Sequence, residues 1–249
     1  MEYGIGFLSI VPLRAEPADQ SELVSQLLYG EHFKIIAKRK KWSYIQLAFD
    51  GYQGWVDNKQ FISIDEDDYN ALNQTPLTLS ADLIDYVSCD QGQLHSISIG
   101  SQISSCKFLS HGFEGRSIQG VQPKEKLIET ALTFLNAPYL WGGRTPFGID
   151  CSGLTQMVYK INGQRLLRDA SLQATQGEAL SFIEESEPGD LAFFDNEEGV
   201  ITHVGIIMKD NYIIHAHGKV RIDRLDHSGI YNNDVRTHTH RLRVIKRIF

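Results

Sequence analysis

Three residues in this chain have types and settings suited to covalent chemistry: Cys151, His203 and His215. Cys151 follows a loop that contains Gly142, Gly143, Pro146 and Gly148, and it precedes an apolar run with helical spacing. That puts its sulfur at a helix N-terminus. There the unpaired N–H groups and the positive end of the dipole favour a thiolate, and a thiol pKa of about 8.5 is expected to fall. The same N–H groups suit a developing oxyanion. Buried cysteines are mostly inert, and Cys89 and Cys106 are read that way.

A nucleophilic thiol needs a base. His203 begins the run THVGIIM and His215 lies in YIIHAHG, with Lys209-Asp210-Asn211 as a turn between them. If Met208 pairs with Tyr212, Gly205 faces His215, and His203 and His215 become same-face diagonal neighbours at roughly 7–8 Å. One imidazole then pairs with the thiol and the other orients the first. A two-residue loop would put them on opposite faces. His215-Ala216-His217 and His238-Thr239-His240 also alternate, but no CxxC or HExxH pattern accompanies them. No metal and no cofactor is expected.

The elements that must position these residues differ along the chain. Residues 1–65 read as short strands between Gly and Asp turns, forming a small all-β barrel. Residues 66–76, acidic and ending at Pro76, read as a linker. Residues 77–120 read as a smaller, degenerate second barrel. Residues 122–249 read as α+β. A helix starts at Pro123, with Leu127, Ala131, Leu132 and Leu135 as its apolar stripe and Pro138 as its stop. A second helix starts at Cys151 and ends at Gly163. Strands follow at 190–195, 202–208, 212–218 and 241–248, with the last as a solvated edge strand.

The whole chain has 249 residues, 42% of them hydrophobic, with a net charge of -7. That charge argues against general nucleic-acid binding. No apolar stretch is long enough to span a membrane, and the first residues show no secretory leader, so a cytoplasmic protein is expected. Three cysteines, an odd and small count, argue against a disulfide framework. Oligomeric state is not legible.

Five ordered motifs, YLWGG, IDCSGL, EPGDLAFF, THVGIIM and IIHAHG, resemble the NlpC-type cysteine peptidases over residues 122–249. The N-terminal half resembles bacterial SH3-like domains. Together the arrangement is similar to the γ-D-glutamyl-L-diamino acid endopeptidases of the dipeptidyl-peptidase VI type, which process muropeptides. The resemblance implies a papain-like α+β domain behind one or two SH3-like barrels, with Cys151 as nucleophile, His203 as base and His215 as the third member. It further implies Tyr139 and Trp141 at the substrate site and Asp150 and Ser152 as polar substrate contacts. Asp169 is implied to pair with the ammonium of a free L-Ala, Tyr52 to close the cleft, and Glu16 to be a second ammonium partner. The family pattern has Ser directly after that Asp, whereas here Ala170 intervenes and Ser171 follows.

The implied reaction is hydrolysis of the γ-D-Glu–diamino acid bond in small murein peptides, in cell-wall recycling. Two other readings stay open. One is a wall-lytic endopeptidase, amidase or acyltransferase acting on intact peptidoglycan. The other is a non-catalytic binder of wall fragments.

Overall fold

A computed structural model describes residues 2–89 and 92–248. The chain divides into two compact units. The first comprises residues 1–120 and 141–146, the second 121–140 and 147–249. Among the described residues, no helix is long and apolar enough to cross a membrane.

The first unit begins with seven antiparallel strands. They are β1 (Glu2–Ile5), β2 (Ile10–Arg14), β3 (Leu23–Leu28), β4 (His32–Lys38), β5 (Trp42–Leu47), β6 (Gln53–Asp57) and β7 (Ile62–Ile64), in the order β3-β2-β6-β5-β4-β1-β7. In β5, burial alternates residue by residue, as a half-buried strand requires. The inward residues Val11, Leu13, Leu27, Phe33, Ile45 and Val56 fill a small SH3-like barrel.

Residues 66–76, expected as a linker, instead contain the helix α1 (Glu66–Gln74). Asp65 caps it by accepting from the Asp68 N–H at 2.8 Å. Tyr69 and Leu72 are its only buried residues. Tyr69 stacks on Tyr3, and Asn73 bonds His32, so the helix is fastened to the barrel. Two apolar anchors in a nine-residue acidic segment were too few to show as a periodic stripe.

Residues 77–120 fold as two separate ribbons. One pairs β8 (Thr78–Ser80) with β11 (Ser117–Gln119). The other pairs β9 (Ile84–Ser88) with β10 (Leu94–Ser98). Val87 and Ile97 of the second ribbon, and Cys106 from the segment between β10 and β11, pack with Tyr29 of the barrel.

Strand β12 (Arg144–Thr145) also belongs to the first unit. Arg144 is fully buried. It donates to both carboxylate oxygens of Glu31 at 3.0 Å and to the Gln26 carbonyl at 2.6 Å. Its own N–H donates to Oε1 of Gln26 at 2.7 Å.

The second unit opens with α2 (Lys126–Thr133), shorter than the helix expected from Pro123 to Pro138. Leu127 and Ala131 are buried as expected, but Leu132 and Leu135 are exposed. Phe134 is buried in their place, because the helix ends there. After β13 (Gly148–Ile149) come α3 (Cys151–Ile161) and the one-turn α4 (Ala170–Gln173). Every residue of α3 is buried.

The strands β14 (Glu178–Leu180), β15 (Leu191–Asp195), β16 (Ile201–Met208), β17 (Tyr212–His217), β18 (Lys219–Asp226), β19 (Gly229–Asn232) and β20 (Thr237–Arg247) form one antiparallel sheet. Their order is β14-β20-β15-β16-β17-β18-β19, and β20 pairs with β19 as well. That last pairing closes strands β15 to β20 into a ring. The run expected as a solvated edge at 241–248 is therefore not an edge. β20 is hydrogen-bonded to β14, β15 and β19.

Register does the positioning. Met208 pairs with Tyr212 and Gly205 with His215 across the β16–β17 hairpin. Asp210 and Asn211 adopt positive φ in its turn, a conformation that Asn and Asp tolerate. In the next hairpin His215 pairs with Arg221 and Ile213 with Asp223. Strand alternation therefore puts His203, His215, Arg221 and Asp223 on one face, shared with Ile207, Ile213, Leu225 and Ile230. The apolar cluster of that face passes into a polar row towards the Gly218 turn.

Candidate active site

Cys151 is the first residue of α3. Asp150 is its N-cap, with Oδ1 accepting from the Gly153 N–H at 2.6 Å. The buried Arg168 holds that carboxylate in a fork, at 3.0 Å to Oδ1 and 2.7 Å to Oδ2. Arg168 also donates to Ser152 Oγ at 2.9 Å. The Cys151 thiol faces the Thr202 carbonyl at 4.0 Å and the backbone N–H groups of Val204 and Ser152. The sulfur thus lies against the backbone on both sides of His203.

His203 is buried. Its Nε2 lies 2.8 Å from Nδ1 of the fully buried His215. His215 Nε2 lies 3.0 Å from Oδ2 of Asp223. Arg221 donates to Asp223 through Nε at 2.6 Å and Nη2 at 2.8 Å, and further to Asn232 and Asp234. The His203 ring stacks on His240 at 4.1 Å between centroids, and Phe194 lies 5.8 Å away. Gly205 leaves the room this needs. A Cβ there would come within 2.9 Å of His215 Cβ and 2.7 Å of Ile213. Among the described residues no group of three or more His, Cys, Asp or Glu could hold a metal ion.

The electrostatics correct one expectation. Burial pushes the Cys151 thiol up to about 12, and the Asp150 charge adds to that. The N–H groups of Val204 and Ser152 and the Arg168 charge oppose it without prevailing. A helix N-terminus lowers a thiol pKa only where the charge stays solvated or unopposed. Here the site is dry, and the cap is itself an anion. Burial also holds His203 well below its ordinary value, helped by His215, His240 and His217. The resting pair is a neutral thiol and a neutral imidazole. Burial lowers His215 too, against the raising effect of Asp223. Burial alone would raise Asp223, but the bonds from His215 and Arg221 outweigh it and leave it lowered. Burial brings His240 down to about 4.

The other sequence-derived residues fall in several places. Tyr139 is half-buried, and its phenol is pushed up to about 12 by burial and then by Cys151 and Asp150, which puts it beside them as a neutral donor. The Asp150 and Ser152 side chains are engaged with Arg168 and the start of α3. Asp169 is half-buried at the N-cap position of α4 and makes no capping bond, and Ser171 is exposed. Trp141, Tyr52 and Glu16 belong to the first unit. Trp141 is exposed and donates through Nε1 to Glu22 at 2.6 Å. Tyr52 packs on the barrel core, and Glu16 is exposed in a turn closed by Ser21.

Asp223, Arg221 and Arg168 are not singled out by the sequence, and His240 stands out there only as part of the alternating His238-Thr239-His240. The pairing arithmetic that placed His203 and His215, carried one hairpin further, puts Arg221 and Asp223 on the same face. Arg168 has no such local signal.

The model of the NlpC/P60 family matches residues 136–239, a span that includes Cys151, His203, His215 and Asp223. A protein of Lysinibacillus sphaericus named dipeptidyl-peptidase 6 is 26% identical over 267 residues, covering 90% of this chain and 93% of that one. This chain carries an NlpC/P60 peptidase domain. In front of its NlpC/P60 domain, residues 13–61 match the model of the bacterial dipeptidyl-peptidase SH3 domain. A Bacillus subtilis relative of the NlpC/P60 domain, named gamma-D-glutamyl-L-lysine dipeptidyl-peptidase, is 42% identical over 94 residues. That match covers 37% of this chain and 31% of the relative, so it spans under a third of that protein's length. Among solved structures, an NlpC/P60 family protein from Bacillus cereus superposes with a TM-score of 0.80 over 99% of both chains at 18% identity. This last likeness is one of fold.

Proposed function

We propose that this peptidase hydrolyses the amide between γ-D-glutamate and a diamino acid, in cell-wall peptides with a free amino-terminal L-alanine, through a thioester on Cys151. The observation that carries the reading is the Cys151 sulfur lying against the backbone on either side of His203, whose far nitrogen is bonded to His215. The name of the B. subtilis relative, gamma-D-glutamyl-L-lysine dipeptidyl-peptidase, supports the substrate class, and that of the L. sphaericus relative supports dipeptidyl-peptidase action.

In this reading Cys151 is the nucleophile and His203 its base. The thiol proton moves to His203 as sulfur attacks the γ-carbonyl carbon, because the resting pair is neutral. The phenol of Tyr139 and the N–H groups at the start of α3 hold the oxyanion. Collapse breaks the C–N bond, and the imidazolium returns the proton to the departing amine. Water then attacks the thioester, His203 takes its proton, and L-Ala-γ-D-Glu leaves as Cys151 recovers the hydrogen. Asp169 is assigned to the substrate ammonium. A charge-assisted contact of that kind contributes roughly 1.5–3 kcal/mol.

The test compares L-Ala-γ-D-Glu-L-Lys, its N-acetyl form and intact murein, with release of lysine measured. The free tripeptide is expected to be cut, and the acetylated one about a hundredfold more slowly, from loss of that contact at its upper magnitude and about 1.4 kcal/mol per decade. Cys151→Ala should abolish turnover, while Cys89→Ser and Cys106→Ser leave it unchanged. Equal rates on free and blocked peptides would overturn the substrate assignment and return the chain to the wall-lytic reading. Turnover by Cys151→Ala near wild type would overturn the mechanism.

A further inference from the structure

Behind the cysteine and two histidines lies a buried ion pair that hydrolysis of the substrate does not itself require. Asp223 sits on the face of the sheet that carries His215, one strand further from the nucleophile. It is 2% exposed, and Arg221 anchors it with two hydrogen bonds. A charge placed there at such a cost in solvation calls for a reason.

We propose that Asp223 is a positioning residue that, acting through His215, fixes the proton of His203 on Nε2 and leaves Nδ1 as the acceptor for the Cys151 proton. The inference rests on the preceding assignment of Cys151 and His203. Its logic is donor and acceptor counting along one chain of bonds. An ionised carboxylate only accepts. His215 Nε2, at 3.0 Å from Asp223, must therefore carry a hydrogen. A neutral imidazole has a single N–H, so His215 Nδ1 presents a lone pair. His203 Nε2, at 2.8 Å from that lone pair, must donate to it. The neutral His203 ring then has its lone pair on Nδ1, the one nitrogen left for the thiol. The state a base needs is thus dictated two side chains away.

Arg221 completes the device. Its fork meets both carboxylate oxygens, so Asp223 stays ionised and cannot rotate away, and Asn232 and Asp234 hold the guanidinium in turn. The carboxylate pKa is lowered despite burial, as the argument requires. Without a fixed acceptor, His215 would be free to reverse. Its Nδ1–H would then point at His203 Nε2, and the His203 proton would move to Nδ1, facing the thiol with no lone pair to offer.

The experiment labels the histidine side chains of the full chain with nitrogen-15 and reads their tautomers by NMR at neutral pH. It does so for wild type, Asp223→Asn and Asp223→Ala, alongside kcat and KM on the free tripeptide. Wild type is expected to show His203 and His215 each protonated at Nε2. Both variants should show His203 with a population protonated at Nδ1. Their kcat should fall about a hundredfold, the lower end of what a misdirected general base removes, while KM changes less than about threefold, as expected of a group acting only on the chemical step. Asp223→Glu should restore part of kcat. A wild-type His215 protonated at Nδ1 would overturn the inference without any variant, even if the variants fail to fold. So would an unchanged His203 tautomer and kcat in a folded Asp223→Ala. If wild type does not cleave the tripeptide, the proposed function falls, and the tautomers still decide this inference.

Discussion

Arg168 offers the sharpest test of how the start of α3 and Cys151 are held. It is 1% exposed and binds both oxygens of Asp150 and the hydroxyl of Ser152, the residues on either side of Cys151. Arg168→Met keeps the length and apolar stem of the side chain and removes its charge. Asp150, 7% exposed, would lose its cationic partner. Stranding one member of a buried ion pair costs about 3–5 kcal/mol. For a unit of this size each kcal/mol moves the melting point by about 4 °C, so a fall of about 12–20 °C is expected in calorimetry of the second unit. Asp150→Asn in the same background removes the stranded charge and keeps a cap on α3. The double variant should therefore recover at least half of the loss, giving a coupling energy of about 2 kcal/mol or more in a double-mutant cycle. A second consequence is chemical. Arg168 is one of the groups that oppose the upward push on the Cys151 thiol, so alkylation of Cys151 should slow in the single variant. A single variant within about 1 kcal/mol of wild type would refute the view that this pair secures the start of α3, since that is the scale of an exposed ion pair.

Two further outcomes follow from the buried, neutral state of the site. In a Cys89→Ser/Cys106→Ser background, the rate of alkylation of Cys151 by iodoacetamide should keep rising with pH through 9, as a thiol pushed up to about 12 requires; a plateau near neutrality would mean a preformed thiolate. His203 and His215 have folded-state pKa values below that of an unfolded histidine, so the unfolded chain takes up protons first as pH falls. Their contribution to stability is present above about pH 6.5 and is lost below it, each adding a slope of up to about 1.4 kcal/mol per pH unit. Urea midpoints measured between pH 7 and 5 should therefore fall, and in the double variant His203→Gln/His215→Gln they should fall less. A flat profile for wild type would contradict the burial that sets both shifts.

What could be seen in the sequence was local. The β16–β17 register follows from Met208 and Tyr212 bracketing a three-residue turn. The start of α3 follows from an Asp cap after a glycine-rich approach. The polar row beyond His215 obeys the same pairing arithmetic, but no turn residue between His217 and Lys219 other than Gly218 marks its register in advance. Other features depend on contacts between residues far apart in the chain. Closure of the ring by β19 and β20 joins a four-residue strand to an eleven-residue one, and no period betrays it. The pKa of Cys151 is set by the depth of its burial, which a helix-start motif does not encode. Helix α1 shows no periodic stripe in the sequence, because its two anchoring residues, Tyr69 and Leu72, are set among acidic and polar ones.

Arg144 has a consequence for how this protein is inherited. The segment 141–146 is contributed to the first unit by chain that runs in from the second and returns to it. With it comes the guanidinium that neutralises Glu31, a carboxylate 2% exposed. No single break in the chain separates the two units cleanly. A break after residue 120 takes from the barrel the guanidinium that meets both oxygens of a buried acid, and leaves the remainder with an arginine loop that has lost its socket. A gene for the second unit moved on its own would therefore carry a segment shaped for a partner it no longer has. Exchange of the N-terminal unit between such chains would succeed only where Arg144, Gln26 and Glu31, or equivalents of all three, travel together.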